Sequence, residues 1–210
     1  HNITISPPYI NKAYNHIAAI EDTIVMGFYA CKGIGYEIGD MIEQERKNNW
    51  VFTSLGNFLE RCPHVANKRV LESLIKSWAF DERYDRNSLL LNINLLLEWY
   101  KTTTSLDMGL FWGLAEHQEL VLQQTTTTSV IERCKYDMEI FKNMISWHPL
   151  DGLYLYCKKF WFIEQYKKSA DPCSFEVAVM IKKITRAKKK GFFVMVEDIT
   201  DSFEFFVKEI

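Results

Sequence analysis

Apolar residues recur at helical spacing through the first half of the chain, from about residue 34 to residue 101. Residues three or four positions apart share one face of an α-helix, so this pattern predicts a series of amphipathic helices. Ser54, Asn67 and Asp85 stand in front of three of these segments. Side chains of these types favour the N-cap of a helix, because their oxygens accept a free backbone N–H. The third helix should carry the apolar residues from Leu89 to Tyr100.

The two ends of the chain follow other patterns. The first thirty residues are extended and loop-rich, and Pro7 and Pro8 resist helix formation there. In the last forty residues apolar and polar positions alternate as in β-strands, in SFEVAVMIKKIT, FFVMVED and SFEFFVKE, with turns at 188–191 and 198–202. A sheet of three strands with two apolar faces needs further partners, so the sequence looks truncated.

The composition narrows the class of protein without assigning a function. With 210 residues and 48% hydrophobic content, the chain can form one large domain or two small ones. Its net charge of -2 does not indicate nucleic-acid binding, although a balanced total can hide a basic patch. Neither a secretory signal nor an apolar run near the roughly 20 residues of a membrane span is visible. The five scattered cysteines favour reduced thiols in a cytoplasm, and after Cys62 and His64 no second ligand-spaced pair indicates a metal site.

Two glycines, Gly33 and Gly35, precede a predicted amphipathic helix. Glycine allows backbone angles that other residues avoid and removes steric bulk. A turn of this kind in front of a helix can direct free N–H groups and the positive end of the helix dipole at a phosphate oxygen. Lys32 and Arg46 add positive charge, and Lys47 extends it. The alternative, that the glycines only tighten a helix hairpin, stays open on this pattern alone.

The residues around this turn carry a family resemblance. The segment YNHIAAIEDTIVMGFYACKGIGYEIGDMIEQERKNNWVFTSLGNFLERC, followed by NKRVLESLIKSWAFD, resembles the tandem helix-hairpin-helix region of the bacterial DNA polymerase III alpha subunits. The matching residues are Gly27, Ala30, Lys32, Gly33, Gly35, Glu45, Arg46, Phe52, Ser54, Leu55, Phe58, Asn67, Lys68, Leu71, Glu72, Leu74, Ile75, Ala79, Phe80 and Asp81.

Later segments resemble the same family in the same order. ISWHPLDGL is similar to the sequence that leads into the family's oligonucleotide-binding (OB) barrel, and ITRAKKKGFFVMVEDITDSFEFFV is similar to the barrel itself. The resemblance implies an α+β fold in three parts. These are a helix-hairpin-helix region at 1–101, a helical linker at 102–170 with a helix from about 130 to 145, and a partial OB-fold at 171–210.

The resemblance implies a DNA-holding part of a replicative DNA polymerase. The helical region should grip duplex DNA, and the barrel should guide the single-stranded template through a basic rim and stacking phenylalanines, of which Phe192, Phe193 and Phe203 are candidates. For the barrel, a solvated lysine turn and core phenylalanines are the alternative. The expected DNA-binding residues are Lys32, Gly33, Ile34, Gly35, Arg46, Arg186, Lys188, Lys189 and Lys190.

The chain shows no set of carboxylates suited to nucleotide transfer. Template-directed synthesis needs acidic residues that hold two magnesium ions. Glu197, Asp198 and Asp201 close a strand and form a turn, where acidic residues usually cap and solvate. We expect no cofactor in this chain, with magnesium only in a catalytic part outside it.

A candidate clamp-binding peptide, LDMGLF, falls where the family carries its own. Leu110 and Phe111 supply two apolar anchors, and Asp107 stands where the family has glutamine. The expected partners are double-stranded and single-stranded DNA, a sliding clamp and other replicase subunits, with no membrane. Two alternatives stay open, namely a stand-alone nucleic-acid-binding module and a fragment that docks only on a clamp.

Several tryptophans stand where the family has glycine. They are Trp50, Trp78, Trp112 and Trp147. The largest side chain at a tight turn should be strained, above all where φ is positive. We therefore hypothesise that the gene reads UGA as glycine, which UGG at all four codons would contradict. Lys142 also replaces a family glycine, and recoding does not explain it.

Overall fold

A computed structural model describes residues 3–107, 120–145, 148–157, 160–169, 176–188 and 190–208. The chain forms two compact units. The first contains residues 1–128 and 135–146, and the second contains residues 129–134 and 147–210. The first unit is mainly helical and the second carries an antiparallel sheet. The predicted α+β class is confirmed, whereas the predicted boundaries at residues 101 and 170 stay predictions.

A small sheet opens the first unit. It consists of β1 (Thr4–Ser6), β2 (Ala18–Ile20) and β3 (Thr23–Val25), in the order β1-β3-β2. β1 pairs parallel with β3, and β2 pairs antiparallel with it. The sequence predicted only extended loops here, because strands of three residues are too short to show a clear alternation.

Five helices follow this sheet within residues 28–107. They are α1 (Tyr36–Asn49), α2 (Leu55–Arg61), α3 (Lys68–Lys76), α4 (Arg86–Leu91) and α5 (Ile93–Asp107), with short 3-10 helices at Phe28–Ala30 and Pro63–Val65. All three predicted N-caps are confirmed. The side chain of Ser54 accepts from Asn57 N, that of Asn67 from Val70 N, and that of Asp85 from Asn87 N and Ser88 N.

The third predicted helix is broken at Asn92, which separates α4 from α5. The Asn92 amide donates to Ser88 O at 2.7 Å and to Gln123 O at 2.8 Å, and its carbonyl oxygen accepts from Gln123 N at 3.1 Å. These bonds attach the helix junction to a segment about thirty residues away in sequence. The break therefore depends on a tertiary contact that helical periodicity does not report.

The apolar faces of these helices form one core. Side chains of Ile42, Phe58, Leu71, Leu74 and Leu96 are fully buried. Burial of such a side chain stabilises the folded state by roughly 1.5–3 kcal/mol. The buried Cys31 and Cys62 also belong to this core, and burial raises the pKa of each thiol to about 12.

A buried charged cluster lies among these helices. Arg86 is only 1% exposed and donates to both carboxylate oxygens of Asp81 at 2.9–3.0 Å. Its guanidinium lies 4.1 Å from the Trp78 ring centre, and the Trp78 indole donates to the buried Asp137 at 2.6 Å. Burial raises the pKa of Asp137 despite this hydrogen bond. The cluster is satisfied internally, so we treat it as structural.

The second unit contains the predicted three-stranded sheet. Its strands are β4 (Met180–Arg186), β5 (Phe192–Glu197) and β6 (Ser202–Val207), antiparallel in that order. A 3-10 helix at Pro149–Leu153 and the short helices α7 (Tyr154–Cys157) and α8 (Ile163–Lys168) precede them. Helix α6 (Val130–Ile140) begins in this unit and continues in the first. Val194 and Val196 pack with Ile163 to form a small core.

Asp198 organises the turn between β5 and β6. Its carboxylate accepts N–H bonds from Ile163 at 2.6 Å, Thr200 at 2.7 Å and Asp201 at 3.0 Å. Burial alone would raise the pKa of this carboxyl, but the hydrogen bonds outweigh it and the pKa is lowered. The geometry agrees with the interpretation of this acidic residue as a turn former.

The backbone has positive φ at several positions occupied by residues other than glycine. Trp50 has φ 67°, Trp78 has φ 75° and Lys142 has φ 60°. All three stand where the resembling family has glycine, which adopts such angles freely. Trp112 and Trp147 lie outside the described residues. The strain expected at the two described tryptophans is thus present, and the codon hypothesis stays a prediction.

Candidate nucleic-acid interface

Gly33 is required by the fold itself. Its φ is +95°, and a Cβ built on it would lie 2.5 Å from Ser73 Oγ. The turn is further fixed by the Lys32 amide, which donates to Ile140 O at 3.1 Å. A side chain at position 33 would therefore strain the backbone and collide with α3. Loss of this glycine would perturb the structure before it perturbed any ligand.

Gly35 differs from Gly33 in both respects. It is the N-cap of α1 with φ -73° and ψ 158°, a conformation that any residue adopts. A Cβ built there would meet nothing within 4 Å. The described structure thus gives no internal reason for glycine at position 35. Close approach of another molecule is a reason that remains.

Free backbone donors surround Gly35. The N–H groups of Gly35, Tyr36 and Glu37 find no acceptor within the described part of the chain. No side chain caps this helix end. The first turn of a helix carries unsatisfied donors and the equivalent of about half a positive charge. The turn therefore presents several donors to an anion such as a phosphate oxygen.

Two of the predicted DNA-binding residues have structural roles. Ile34 is buried, and its N–H donates to Cys31 O at 3.0 Å. Arg46 donates to Ile10 O at 2.8 Å and also to Ala13 O, and burial lowers the pKa of its guanidinium. Their spacing in the sequence could not show these contacts, because the acceptors lie on other segments. We leave both residues out of the proposed phosphate-binding set.

A polar cavity of about 190 Å³ lies beside the turn. Residues lining it include Lys32, Gly33, Arg69, Glu72, Ser73 and Lys76. Lys76 bonds to Glu72 at 2.7 Å and to Glu139 at 2.8 Å. Burial alone would lower the pKa of Lys76, but these two partners raise it, so the side chain stays charged.

Arg69 is the basic residue that the sequence interpretation missed. It is exposed, as is Lys32, and neither side chain has a partner in the described structure. Residues 69, 72, 73 and 76 share one face of α3, opposite its buried apolar face. A polar helical stripe following the Asn67 cap was the available signal. We define the candidate phosphate-binding turn as Lys32, Gly33, Gly35 and Arg69 together with the free amides of Gly35, Tyr36 and Glu37.

The second unit carries its own basic residues. Arg186 ends β4, and Lys188 and Lys190 lie in the turn that follows. All three are exposed without a partner among the described residues, and Lys189 lies outside them. Gly191, which precedes β5, has φ +141°, and a Cβ built on it would lie 2.5 Å from Val207 O. This geometry is compatible with a solvated hairpin or with a phosphate contact.

The predicted stacking phenylalanines of this sheet divide into two groups. Phe192 and Phe203 pack against the small core of the unit. Phe193 is 43% exposed, and its ring centre lies 5.2 Å from that of Phe206. Of the three candidates, Phe193 alone is more than one-third exposed. Phe206, which the sequence interpretation did not select, lies beside it.

Known proteins resemble this chain in sequence. A helix-hairpin-helix motif family matches residues 2–89, which include every residue of the candidate phosphate-binding turn. The DNA polymerase III alpha subunit of Thermus aquaticus is 34% identical over 150 residues, and those of Deinococcus radiodurans and Campylobacter jejuni are each 32% identical over 159 and 166 residues. The chain is related to the DNA polymerase III alpha subunits.

The match to these alpha subunits covers most of this chain but only a small part of each relative. It covers 70%, 71% and 73% of this chain but 12%, 12% and 14% of the three relatives. The chain thus spans a small part of the length of an alpha subunit. The activity and partners of a whole alpha subunit are therefore proposals for this chain.

The candidate clamp peptide, a metal site and a membrane span are the remaining features to locate. Of the candidate clamp peptide, Asp107 is the last residue of α5, and Leu110 and Phe111 lie outside the described residues. Among the described residues, no group of three metal-ligating side chains comes together. No helix in the described ranges has both the length and the apolar character to cross a bilayer.

Proposed function

We propose that this chain is a DNA-holding part of a replicative DNA polymerase and that its first unit binds the backbone of duplex DNA. The observation that carries this proposal is Gly35. It has an ordinary backbone conformation and open space around its missing side chain, and free amides follow it. A glycine that the fold does not need is explained by the close approach of a phosphate.

The proposed mechanism is electrostatic and independent of sequence. The free amides and the N-terminus of α1 donate to phosphate oxygens, and the exposed side chains of Lys32 and Arg69 neutralise phosphate charge. Such contacts position a protein on DNA without reading bases. Each neutralised phosphate releases counterions, so affinity should fall steeply with salt. The net charge of -2 does not oppose this mechanism, because the basic groups are clustered locally.

Substitution of Gly35 tests the proposal. We expect Gly35→Leu to weaken binding to blunt duplex DNA by at least about tenfold, because the side chain blocks the approach to the amides. Gly35→Ala is the matched control, since alanine and leucine are equally poor N-caps but differ in volume. The two variants should have similar thermal stability and different DNA affinity. Equal affinity of Gly35→Leu and the parent chain would refute the proposed site.

Charge substitutions give an independent test. Lys32→Ala and Arg69→Ala should each reduce the magnitude of the slope of log K against log salt by about one. Lys47→Ala is the control, because Lys47 lies in the last turn of α1 and pairs with Glu43 at 2.6 Å. It removes the same charge about 20 Å along the helix. A slope unchanged by the first two substitutions would contradict phosphate contact.

We propose that the second unit forms part of an OB-fold and that it contacts single-stranded DNA. Its support is the exposed Arg186, Lys188 and Lys190 beside exposed phenylalanine rings, since single-strand sites combine basic grooves with aromatic platforms. Arg186→Ala with Lys188→Ala should weaken oligothymidine binding. Lys167→Ala with Lys168→Ala, which also removes two charges, from lysines paired with Asp201 and Glu164, should not. Equal losses in both variants would indicate bulk charge rather than a site.

Docking on a sliding clamp and assembly with other replicase subunits are proposed from the family resemblance. The expected contact is the peptide containing Asp107, Leu110 and Phe111. Leu110→Ala with Phe111→Ala should abolish binding of the chain to a bacterial sliding clamp in surface plasmon resonance. Duplex DNA affinity should not change in the same variant. Clamp binding that survives the double substitution would exclude this peptide.

A further inference from the structure

Three aromatic side chains form an exposed cluster on the first unit. Ring centres lie 6.2 Å apart for His16 and Tyr29, 5.5 Å for His16 and Tyr36, and 5.9 Å for Tyr29 and Tyr36. Tyr29 is 56% exposed and Tyr36 is 50% exposed, and His16 is exposed as well. We call these three residues the aromatic cluster.

The fold holds the aromatic cluster in place through a buried asparagine. Asn15 is 2% exposed, and its backbone carbonyl oxygen accepts from Tyr29 N at 3.0 Å while its side-chain amide donates to Tyr36 O at 3.1 Å. Its own N–H donates to Glu43 Oε2 at 2.6 Å. The two tyrosine backbones are therefore fixed to one polar anchor. A rigid, outward-facing aromatic surface loses little entropy when a ligand binds.

The core does not explain the aromatic cluster. Tyrosine usually buries most of its ring, and contiguous exposed aromatic surface marks an interaction site. Within the described residues, the side chains of His16, Tyr29 and Tyr36 form no hydrogen bond or ion pair, and each packs on the other two. What the cluster offers to solvent is ring surface, which suits a flat aromatic ligand.

The position of the cluster indicates which ligand that is. Tyr36 directly follows Gly35 and is the first residue of α1, so its side chain is attached next to the free amides of the phosphate-binding turn. Tyr36 thus belongs both to the turn and to the cluster, so a nucleotide held through its phosphate at those amides would lie next to the aromatic surface. Every base has a π-face that stacks on aromatic side chains. Bases inside a duplex already stack on one another, so only an unpaired base is available.

We infer that the aromatic cluster stacks on an unpaired nucleobase of DNA, so that the first unit prefers duplex carrying a single-stranded extension. This inference rests on the proposed phosphate-binding function of the adjacent turn. It adds a preference for a particular DNA structure to contacts that by themselves do not read bases.

The test compares three DNA ligands that share one duplex. The first is blunt, the second has a three-nucleotide overhang, and the third has an overhang of the same length made of abasic residues. The two overhangs carry equal phosphate charge, so their difference measures base contact alone. We expect the parent chain to bind the base-bearing overhang at least about fivefold more tightly than the abasic one, as stacking on aromatic side chains predicts.

Variants assign that difference to the cluster. Tyr29→Ala with Tyr36→Ala should bring the ratio of the two overhang affinities close to one, and Tyr29→Ala alone should leave blunt-duplex affinity unchanged. Tyr29→Phe with Tyr36→Phe keeps both rings and should keep the ratio. Circular dichroism and thermal unfolding of each variant verify the fold. A parent ratio near one, or a ratio that survives the alanine substitutions, overturns the inference.

The outcomes also separate this inference from the function on which it rests. If the parent chain does not bind blunt duplex, the proposed phosphate-binding turn fails, whatever the overhang ratio. If it binds blunt duplex with a steep salt dependence but shows no preference for base-bearing overhangs, the turn stands and the stacking surface fails. A ratio lost in Phe193→Ala and retained in the tyrosine variants would place base contact on the sheet instead and refute the cluster.

Discussion

The strain at Trp50 leads to a prediction whose sign can be measured. Trp50 follows α1 with φ 67° and ψ -179°, a region occupied almost only by glycine. Its side chain is 84% exposed. The backbone here is held by Arg61, which donates to Trp50 O at 2.9 Å and to Glu45 at 2.9 Å. Because Arg61 reaches the main-chain oxygen of Trp50 and the side chain of Glu45, a substitution at position 50 keeps both contacts.

The expected magnitude follows from three contributions. Release of a strained backbone by glycine is worth about 1–3 kcal/mol, and the extra entropy that glycine loses on folding opposes it by about 0.5–1 kcal/mol. Both Trp50→Gly and Trp50→Ala lose the indole, of which 16% of the surface is buried, and this burial contributes about 1 kcal/mol. Trp50→Ala loses this burial without releasing the strain. Trp50→Gly should therefore be more stable than Trp50→Ala by about 1–2 kcal/mol.

Urea unfolding followed by far-ultraviolet circular dichroism measures this difference without relying on tryptophan fluorescence. Asn48 is the matched control, because it is exposed and lies inside α1 two residues earlier. There Asn48→Gly should be less stable than Asn48→Ala by about 0.5–1 kcal/mol. The order of glycine and alanine should thus reverse between positions 48 and 50. The same order at both positions would refute the positive φ at Trp50.

Three further predictions concern the buried groups of the first unit. Arg86→Met should lower the free energy of unfolding by about 3–5 kcal/mol in chemical denaturation, because Asp81 and Asp137 lose their buried cationic partner. A loss below about 1 kcal/mol would contradict the buried ion pairs. The pKa of Asp85 is lowered, since its hydrogen bonds outweigh burial, so its stabilisation should be present above pH 4 or so and disappear as the pH falls through the folded pKa, and Asp85→Asn should flatten this acid limb of the stability profile. Cys31 and Cys62, with pKa values of about 12, should resist alkylation by iodoacetamide at pH 8 in the folded chain and react after unfolding, as mass spectrometry of the two peptides would show.

Local chemistry made the helix starts predictable. Ser54, Asn67 and Asp85 each bond to an amide two or three residues ahead, so the necessary information lies within one turn of sequence. Strand alternation in the last forty residues was equally local: β5 and β6 begin where it placed them, and β4 (Met180–Arg186) covers the second half of the first predicted segment. The end of α4 was not local, because Asn92 breaks the helix through bonds to Gln123.

The candidate site shows the same division at the level of single residues. Gly33 and Gly35 look alike in sequence, yet one is required by φ and by Ser73 while the other faces open space. Arg46 looked available for DNA and is held by two carbonyls. Arg69 was passed over and lies exposed beside the turn. Which basic group is free depends on what packs around it, and a linear spacing does not carry that information.

The sequence by itself determined the α+β class, three helix caps, the presence of three strands in the last forty residues and the relationship to the alpha subunits, because each depends on local propensity or on residue identity. The tertiary structure alone decided which glycine is open to a ligand, which cations are free, and that His16, Tyr29 and Tyr36 meet on one surface. The physical reason is that accessibility and proximity arise from contacts between distant segments. The chemistry of a side chain depends on its residue type, whereas its accessibility to a ligand depends on its neighbours in space.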